Sequence, residues 1–527
     1  MQTLETKKKE IVTFFLKKGL LLSNDVLEQL ENDDFFSRVE ELLTQPNGNI
    51  TVLNSKIKEL LEQQKKDINW QELDNLKTRS EKKNGINYDQ ALKPMLETPK
   101  EEKKLGSEPV KVLYSYSPQI KKREAQDFTD CLNHRFKTIS SILKQRQEMQ
   151  NTISINRILS KKDREQIAVI GMVLDKKYTK NNNCLLTIED QTGTINVIIN
   201  KNKPELFDLT KDIIMDEVVG ITGTNADKII FANNLVFPDV PITEEMKKAS
   251  DDTHVVFLSD LHVGSHNFLK EDFEKFLRWI NQDLGDEKQK ELASKVKYIF
   301  VLGDLVDGIG IYPDQEKDLS IKDVKEQYVE CAKLLAQIPK HIPLIICPGN
   351  HDAMRVAEPQ LPIYRDFAQP LYDLPNAIMV SNPALINIHS SPTFPGFNVL
   401  VYHGYSFDYY VAEVETIRNN GGYDRADLIM KFLLQKRHLA PAHTSTLYAP
   451  DTTHDPLVIE KVPDFLCSGH IHKTAVANYR NITLICGSCW QSKTSFQEKV
   501  GHHPEPSRVP IVNLQTRNIK ILRFGSE

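Results

Sequence analysis

Five apolar runs in this chain end on the same kinds of residue. Residues 255–258 lead through Ser259 into Asp260-Leu261-His262, and residues 300–302 lead into Gly303-Asp304. Residues 344–348 lead into Gly349-Asn350-His351-Asp352, residues 399–402 into His403-Gly404, and residues 465–467 into Ser468-Gly469-His470-Ile471-His472. Short apolar runs bounded by glycine and polar residues read as buried strands. Here each strand end delivers a carboxylate, an amide or an imidazole into a loop. One such end would be ordinary, because aspartate caps helices and histidine sits in turns. Five in succession predict one site assembled from loops along one sheet edge.

The spacing of amphipathic stripes between these runs predicts the scaffold. Phe273, Phe276, Leu277 and Ile280 share one helical face, and Tyr328, Cys331, Ala332 and Leu335 share another. Further helices are expected at 411–416 and 425–437, an insertion-like loop at 498–508, and a terminal strand pair near 509–514 and 518–524. Strands alternating with helices predict an α/β domain over 250–527, with helices outside stacked sheets.

A chain of 527 residues needs more than one such domain. Residues 1–75 carry short apolar helical stripes (Ile11, Phe14, Phe15; Val26, Leu27, Leu30) and predict a small helical module for docking or partner contact. Residues 76–109 are charged, with little apolar spacing, and predict a flexible linker. Residues 110–160 predict a connector, with an edge strand at Val112, Tyr114 and Tyr116. A basic helix follows, carrying Leu132, Phe136, Ile139 and Leu143; its apolar face is expected to cover a neighbouring domain and leave its lysines in water, ahead of the alternative of meeting a phosphate backbone. Residues 161–245 change to strand periodicity. Five short strands predict a small closed barrel resembling an oligonucleotide/oligosaccharide-binding fold. Its Asn-rich loop, 180–183, lacks the aromatic interleaving that base stacking requires, so a structural or protein-binding role ranks above nucleic-acid binding.

Net charge is −5, which neither predicts nor excludes a nucleic-acid partner; a basic surface would have to be local. Seven cysteines without framework spacing predict a reducing, cytoplasmic setting. The apolar stretch 11–16 is too short for a signal sequence, and no run is long enough for a membrane span. Cys486-Gly-Ser-Cys489 reads as a buried turn rather than a redox or zinc motif, and His502-His503 as a solvated pair.

The site residues together supply mixed oxygen and nitrogen ligands for two adjacent divalent ions, with Asp304 as the bridging carboxylate. In order and combination these motifs resemble the calcineurin-like metallophosphoesterase superfamily over about 250–480. The resemblance implies that Asp260, His262 and His472 hold one metal and Asn350, His403 and His470 the other. It also implies that His351 protonates the leaving oxygen and that Asp352 orients it. The ions it implies are manganese first, with iron, zinc and magnesium as alternatives. Adding the helical module, linker and barrel, the layout is similar to the small subunits of archaeal family D DNA polymerases. The residues that carry this are Phe257 to Ser265, Gly303 to Gly308, Pro348 to Asp352, His403 to Ser406 and Ser468 to Lys473. That resemblance implies 3′-5′ exonuclease proofreading on DNA, nucleoid association, and a large catalytic subunit as partner in a heterodimer or heterotetramer. A sliding clamp is a further candidate partner for the first 75 residues. A structural subunit with a vestigial site, and a stand-alone phosphodiesterase acting on RNA or small molecules, are the alternative readings.

Overall fold

A computed structural model describes residues 21–22, 52–53, 110–117, 122–242, 245–494, 497–498 and 502–525. Two units are present, Met1–Glu102 and Lys103–Glu527. In the first, strand β1 (Leu21–Leu22) pairs in parallel with β2 (Val52–Leu53). The expected helices of 1–75 and the linker 76–109 otherwise lie outside the described residues.

In the second unit, β3 (Lys111–Ser115) is followed by helix α1 (Ala125–Leu143). Five strands then close a barrel in the order β4-β5-β6-β8-β7: β4 (Gln166–Tyr178), β5 (Cys184–Asp190), β6 (Gly193–Ile199), β7 (Val218–Ala226) and β8 (Ile229–Val236). Alternate residues of β5 and β6, Leu186, Ile188, Ile195 and Val197, point into its core. Full closure leaves the sheet without free edges.

The site is carried by two six-stranded sheets. The first has β12 (Ala377–Met379), β11 (Leu344–Cys347), β10 (Val296–Leu302), β9 (His254–Leu258), β18 (Arg508–Asn513) and β19 (Ile519–Arg523), in that spatial order. In the second the order is β16 (Ala475–Tyr479), β17 (Ile482–Cys486), β15 (Phe465–Ser468), β14 (Phe397–Val401), β13 (Ala384–Ile388) and β3. The strands β9 to β12 run parallel. The short strand β3 is an edge, antiparallel to β13, as its alternation predicted.

The pleat explains why the strand sequences are continuously apolar. In β9, Val255 and Phe257 face the second sheet while Val256 and Leu258 face helices. The same division holds in β10 and in β15, where Phe465 and Cys467 face inward and Leu466 faces outward. Strands covered on both faces cannot alternate polar and apolar residues. The outer layers are α2 (Lys270–Ile280) and α3 (Val324–Leu335) on one side, and α4 (Phe407–Glu413) and α5 (Ala426–Lys436) on the other. The stripes predicted for α2 and α3 are buried, joined by Trp279. Among the described residues no helix is long and apolar enough to cross a membrane.

The helix α1 covers its neighbours and leaves its lysines exposed, as expected, but its arginine was not foreseen. Lys137 and Lys144 are exposed, but Arg135 is 2% exposed and paired with Asp455 at 2.6 Å. Ile139 and Leu143 on the same helix pack on barrel residues Ala168, Ile170 and Val218. The helix therefore joins barrel to sheets, and its arginine is a fastening rather than a solvated charge.

Candidate metal centre

Every sequence-predicted site residue lies where a strand ends. Backbone geometry there is unusual: Asp260, His262, Asp304, His470 and His472 all have φ between 50° and 69°. The left-handed region is sparsely used by residues with a Cβ, though aspartate and histidine enter it more readily than most. Each such residue costs about 1–3 kcal/mol and persists only where its surroundings enforce it, and such strain gathers at functional sites. Close packing enforces it here. A Cβ on Gly349 would run into the Asp304 carboxylate, and Gly303, at φ +91°, lies against His403.

The side chains converge. His262 Nε2 is 3.0 Å from His472 Nε2, and His472 Nε2 is 3.5 Å from Asp260 Oδ1. Asn350 Oδ1 lies 3.0 Å from His403 Nε2 and 3.1 Å from His470 Nδ1. Asp304 Oδ2 lies between the two halves, 3.2 Å from His403 Nε2 and 3.9 Å from His262 Nε2. Asp260, His262, Asp304, His403 and His472 are buried, whereas Asn350, His351 and His470 are half-buried on the open side. Despite burial, the charges of His403, His351 and His262 hold the Asp304 carboxyl well below the ordinary range. Despite burial too, Asp304 and Asp260 raise His403 to about 10.

The ring nitrogens turned away from the centre are held from behind. His262 Nδ1 meets Asp307 Oδ1 at 3.1 Å, His403 Nδ1 meets the Leu302 carbonyl at 2.8 Å, and His470 Nε2 meets Asp408 Oδ2 at 2.9 Å. Those nitrogens must donate, since their partners only accept, so the inward nitrogens are the ones that give up a proton and offer a lone pair when a metal binds. His472 Nδ1 is held by the Gln497 amide at 2.9 Å. Four imidazoles and two carboxylates aimed into one space suit divalent cations: Asp260, His262 and His472 form one ligand-competent cluster, and Asp304, His403 and His470 another.

One expectation is corrected by geometry. Asp352 does not orient His351. Its Oδ2 accepts from the Gly349 and Leu305 amides at 2.8 and 3.4 Å, and its Oδ1 from the Tyr328 hydroxyl at 2.9 Å. The His351 ring is instead held through Nδ1 by the Asp307 carbonyl at 2.8 Å. Burial raises the Asp352 carboxyl to about 7, as expected of a group that braces a loop. Asp307 thus supports two imidazoles, one by side chain and one by backbone. We predict that Asp307→Ala lowers metal affinity and activity about 10- to 100-fold, the usual loss when a ligand's support is removed; titration calorimetry and initial rates check it.

Asp307, Asp408 and Glu358 were not candidates from sequence. Asp307 had a local signal, in the same Gly-flanked loop as Asp304. Glu358 had none: buried, it accepts from the Tyr402 hydroxyl at 2.9 Å and from Asn382 at 3.3 Å, and the Asn382 Oδ1 accepts the His403 amide at 2.8 Å. Burial lifts its pKa from 4.5 to about 7. Its stability contribution is therefore complete below about pH 4 and lost as pH rises through 7. Glu358→Gln, which cannot ionise, should gain up to about 3 kcal/mol over the parent between pH 5 and pH 8, read by urea melts at both values.

Cys486 and Cys489 are both buried and unpaired, each thiol directed at a backbone carbonyl, as a structural turn requires. His502 is half-buried, its ring tilted at 54° against Tyr423 with centroids 4.1 Å apart, and it lines the cavity of the centre.

Residues 253–474 match the calcineurin-like phosphoesterase family. The DNA polymerase II small subunit of Methanothermobacter thermautotrophicus is 39% identical over 402 residues, spanning 76% of this chain and 80% of that protein. The chain belongs to this family. The DNA polymerase II small subunit of Archaeoglobus fulgidus is 38% identical over 76% of this chain and 78% of its own length. That of Thermoplasma acidophilum is 33% identical over 78% and 80%. The phosphoesterase domain is thus a hydrolase domain that retains clusters competent for divalent metal, preceded by an oligonucleotide/oligosaccharide-binding barrel.

Proposed function

We propose that this chain is the proofreading subunit of a DNA polymerase, removing nucleotides from single-stranded or mispaired 3′ ends while a separate large subunit performs synthesis. The observation that carries this reading is the convergence, in one strained loop edge, of all seven ligand-type side chains with His351 beside them. Asp260, His262 and His472 would hold one ion, Asn350, His403 and His470 the other, and Asp304 both; manganese is the first choice. Such ions, when bound, neutralise phosphate charge and acidify water. The remaining work falls to the chain. The backing hydrogen bonds fix the outward nitrogens of His262, His403 and His470 as donors and so turn their other nitrogens inward as ligands. His351, with Nδ1 donating to the Asp307 carbonyl, acts from its imidazolium form: Nε2 gives its proton to the departing sugar oxygen and the ring is left neutral.

The test is digestion of a 3′-mispaired primer-template beside a matched duplex, by the chain alone and with its large partner, in manganese. Stepwise shortening from the mispaired end is expected. Intact primers in both preparations, with the partner bound, would favour the structural-subunit reading instead.

A further inference from the structure

The metal centre opens sideways. Tyr405 and Asp408 line its cavity of about 250 Å³, and the same two residues also line a larger neighbouring cleft of about 600 Å³. The cleft is aromatic. Phe128, Tyr409, His443 and Tyr448 line it with Tyr405, and Leu447, 58% exposed, stands at its rim. Phe128 and Tyr448 each meet the His443 ring edge-on, at 5.8 and 6.3 Å, and Tyr405 meets the His470 ring edge-on at 5.9 Å. No lysine or arginine is among the lining residues, and their one carboxylate is Asp408. A surface so made does not attract a phosphate backbone. It offers ring faces and edges to an uncharged, flat group.

We propose that this cleft binds the unpaired nucleobases next to the phosphodiester at the metal centre, stacked on Tyr405, Tyr409 and His443. This rests on the nuclease reading and deepens it by naming how a single-stranded end is selected. Continuity through Tyr405 places the cleft one wall from the reacting phosphate. Its size is within the ~300–1,000 Å³ usual for small-ligand sites. Stacking accepts any base, because every base has a π face, which suits an enzyme that must remove all four. A paired base reaches the cleft only after leaving its duplex, and that unpairing is easier for a mismatch. The cleft would therefore convert loss of pairing into substrate affinity.

The test compares, with the full chain in manganese, a single-stranded oligonucleotide and the same oligonucleotide with abasic sites at its last two positions. The parent should show a KM about 5- to 100-fold lower for the base-bearing strand, the range for losing one base–aromatic stack. His443→Ala and Tyr409→Ala should raise KM for that strand toward the abasic value. Tyr409→Phe, which keeps the ring, should restore it. His443 is exposed, so its replacement leaves folding intact even where Tyr409→Ala lowers the melting temperature. Equal KM for both strands in the parent overturns the cleft's role while leaving the nuclease reading standing. So does an equal fall in kcat on both strands in the variants. Cleavage of neither strand removes the nuclease reading and this proposal together.

Discussion

Asp304→Asn should lower nuclease activity by at least about 10³-fold with the fold retained. The carboxylate touches both halves of the centre, His403 at 3.2 Å and His262 at 3.9 Å, and carries negative charge in a buried space. Asparagine keeps the Oδ1 that accepts the His351 amide at 2.8 Å, so the loop's local bond survives. What disappears is the charge on which two cations would depend. Metal centres of this kind supply several kcal/mol of charge stabilisation, and each ~1.4 kcal/mol is tenfold in rate. His351→Ala should cost about 10²- to 10⁴-fold, the range for a general acid, without changing metal content. Mass-spectrometric metal counts with single-turnover rates separate the two. Unchanged metal stoichiometry in Asp304→Asn, with activity within about tenfold of the parent, would remove Asp304 from the centre.

Much of this arrangement was legible because the sheets are covered on both faces. Phe300-Val301-Leu302 is apolar throughout since Val301 meets helices and Phe300 meets the opposing sheet, so the point where apolarity stops marks the strand end. Histidine and aspartate at those ends could be seen as a set without coordinates. What supports them could not. Asp408 reaches His470 across 62 positions, and Gln497 reaches His472 from the residue before the loop read as an insertion. Asp352 follows His351 directly, yet its side chain turns back to the Gly349 and Leu305 amides while a carbonyl 44 residues away holds the ring. Adjacency in sequence says little about where a side chain points after a tight turn. Arg135 makes the same case for charge, since a cation on an amphipathic helix reads as solvated until its distant partner is placed beside it.

That partner makes Arg135 the basis of a stability prediction. Its guanidinium meets Asp455 at 2.6 Å and the Pro441 carbonyl at 2.6 Å, and the same carboxylate meets His438 at 2.9 Å and the Tyr448 hydroxyl at 2.9 Å. Removing one member of a buried, hydrogen-bonded pair strands the other charge and costs about 3–5 kcal/mol, so Arg135→Met should lose that much at pH 8. Burial and the Arg135 charge together press His438 down to about 4, so it is neutral in the parent. Without Arg135 that pressure falls, and His438 can take a proton and replace the lost cation. The deficit should therefore shrink toward pH 6. In the parent the sign is opposite. Against burial, Arg135 and His438 hold Asp455 far below ordinary carboxylates, so its contribution is full above about pH 4 and lost on acidification. His438 adds to that loss below about pH 6.5, where the unfolded chain binds a proton that the folded one refuses. Asp455→Asn combined with Arg135→Met should cost less than the two single changes summed, because the double variant strands no charge. Strictly additive single losses, or a deficit that does not vary between pH 8 and pH 6, would mean that α1 is held to the sheets by its apolar face and not by this pair.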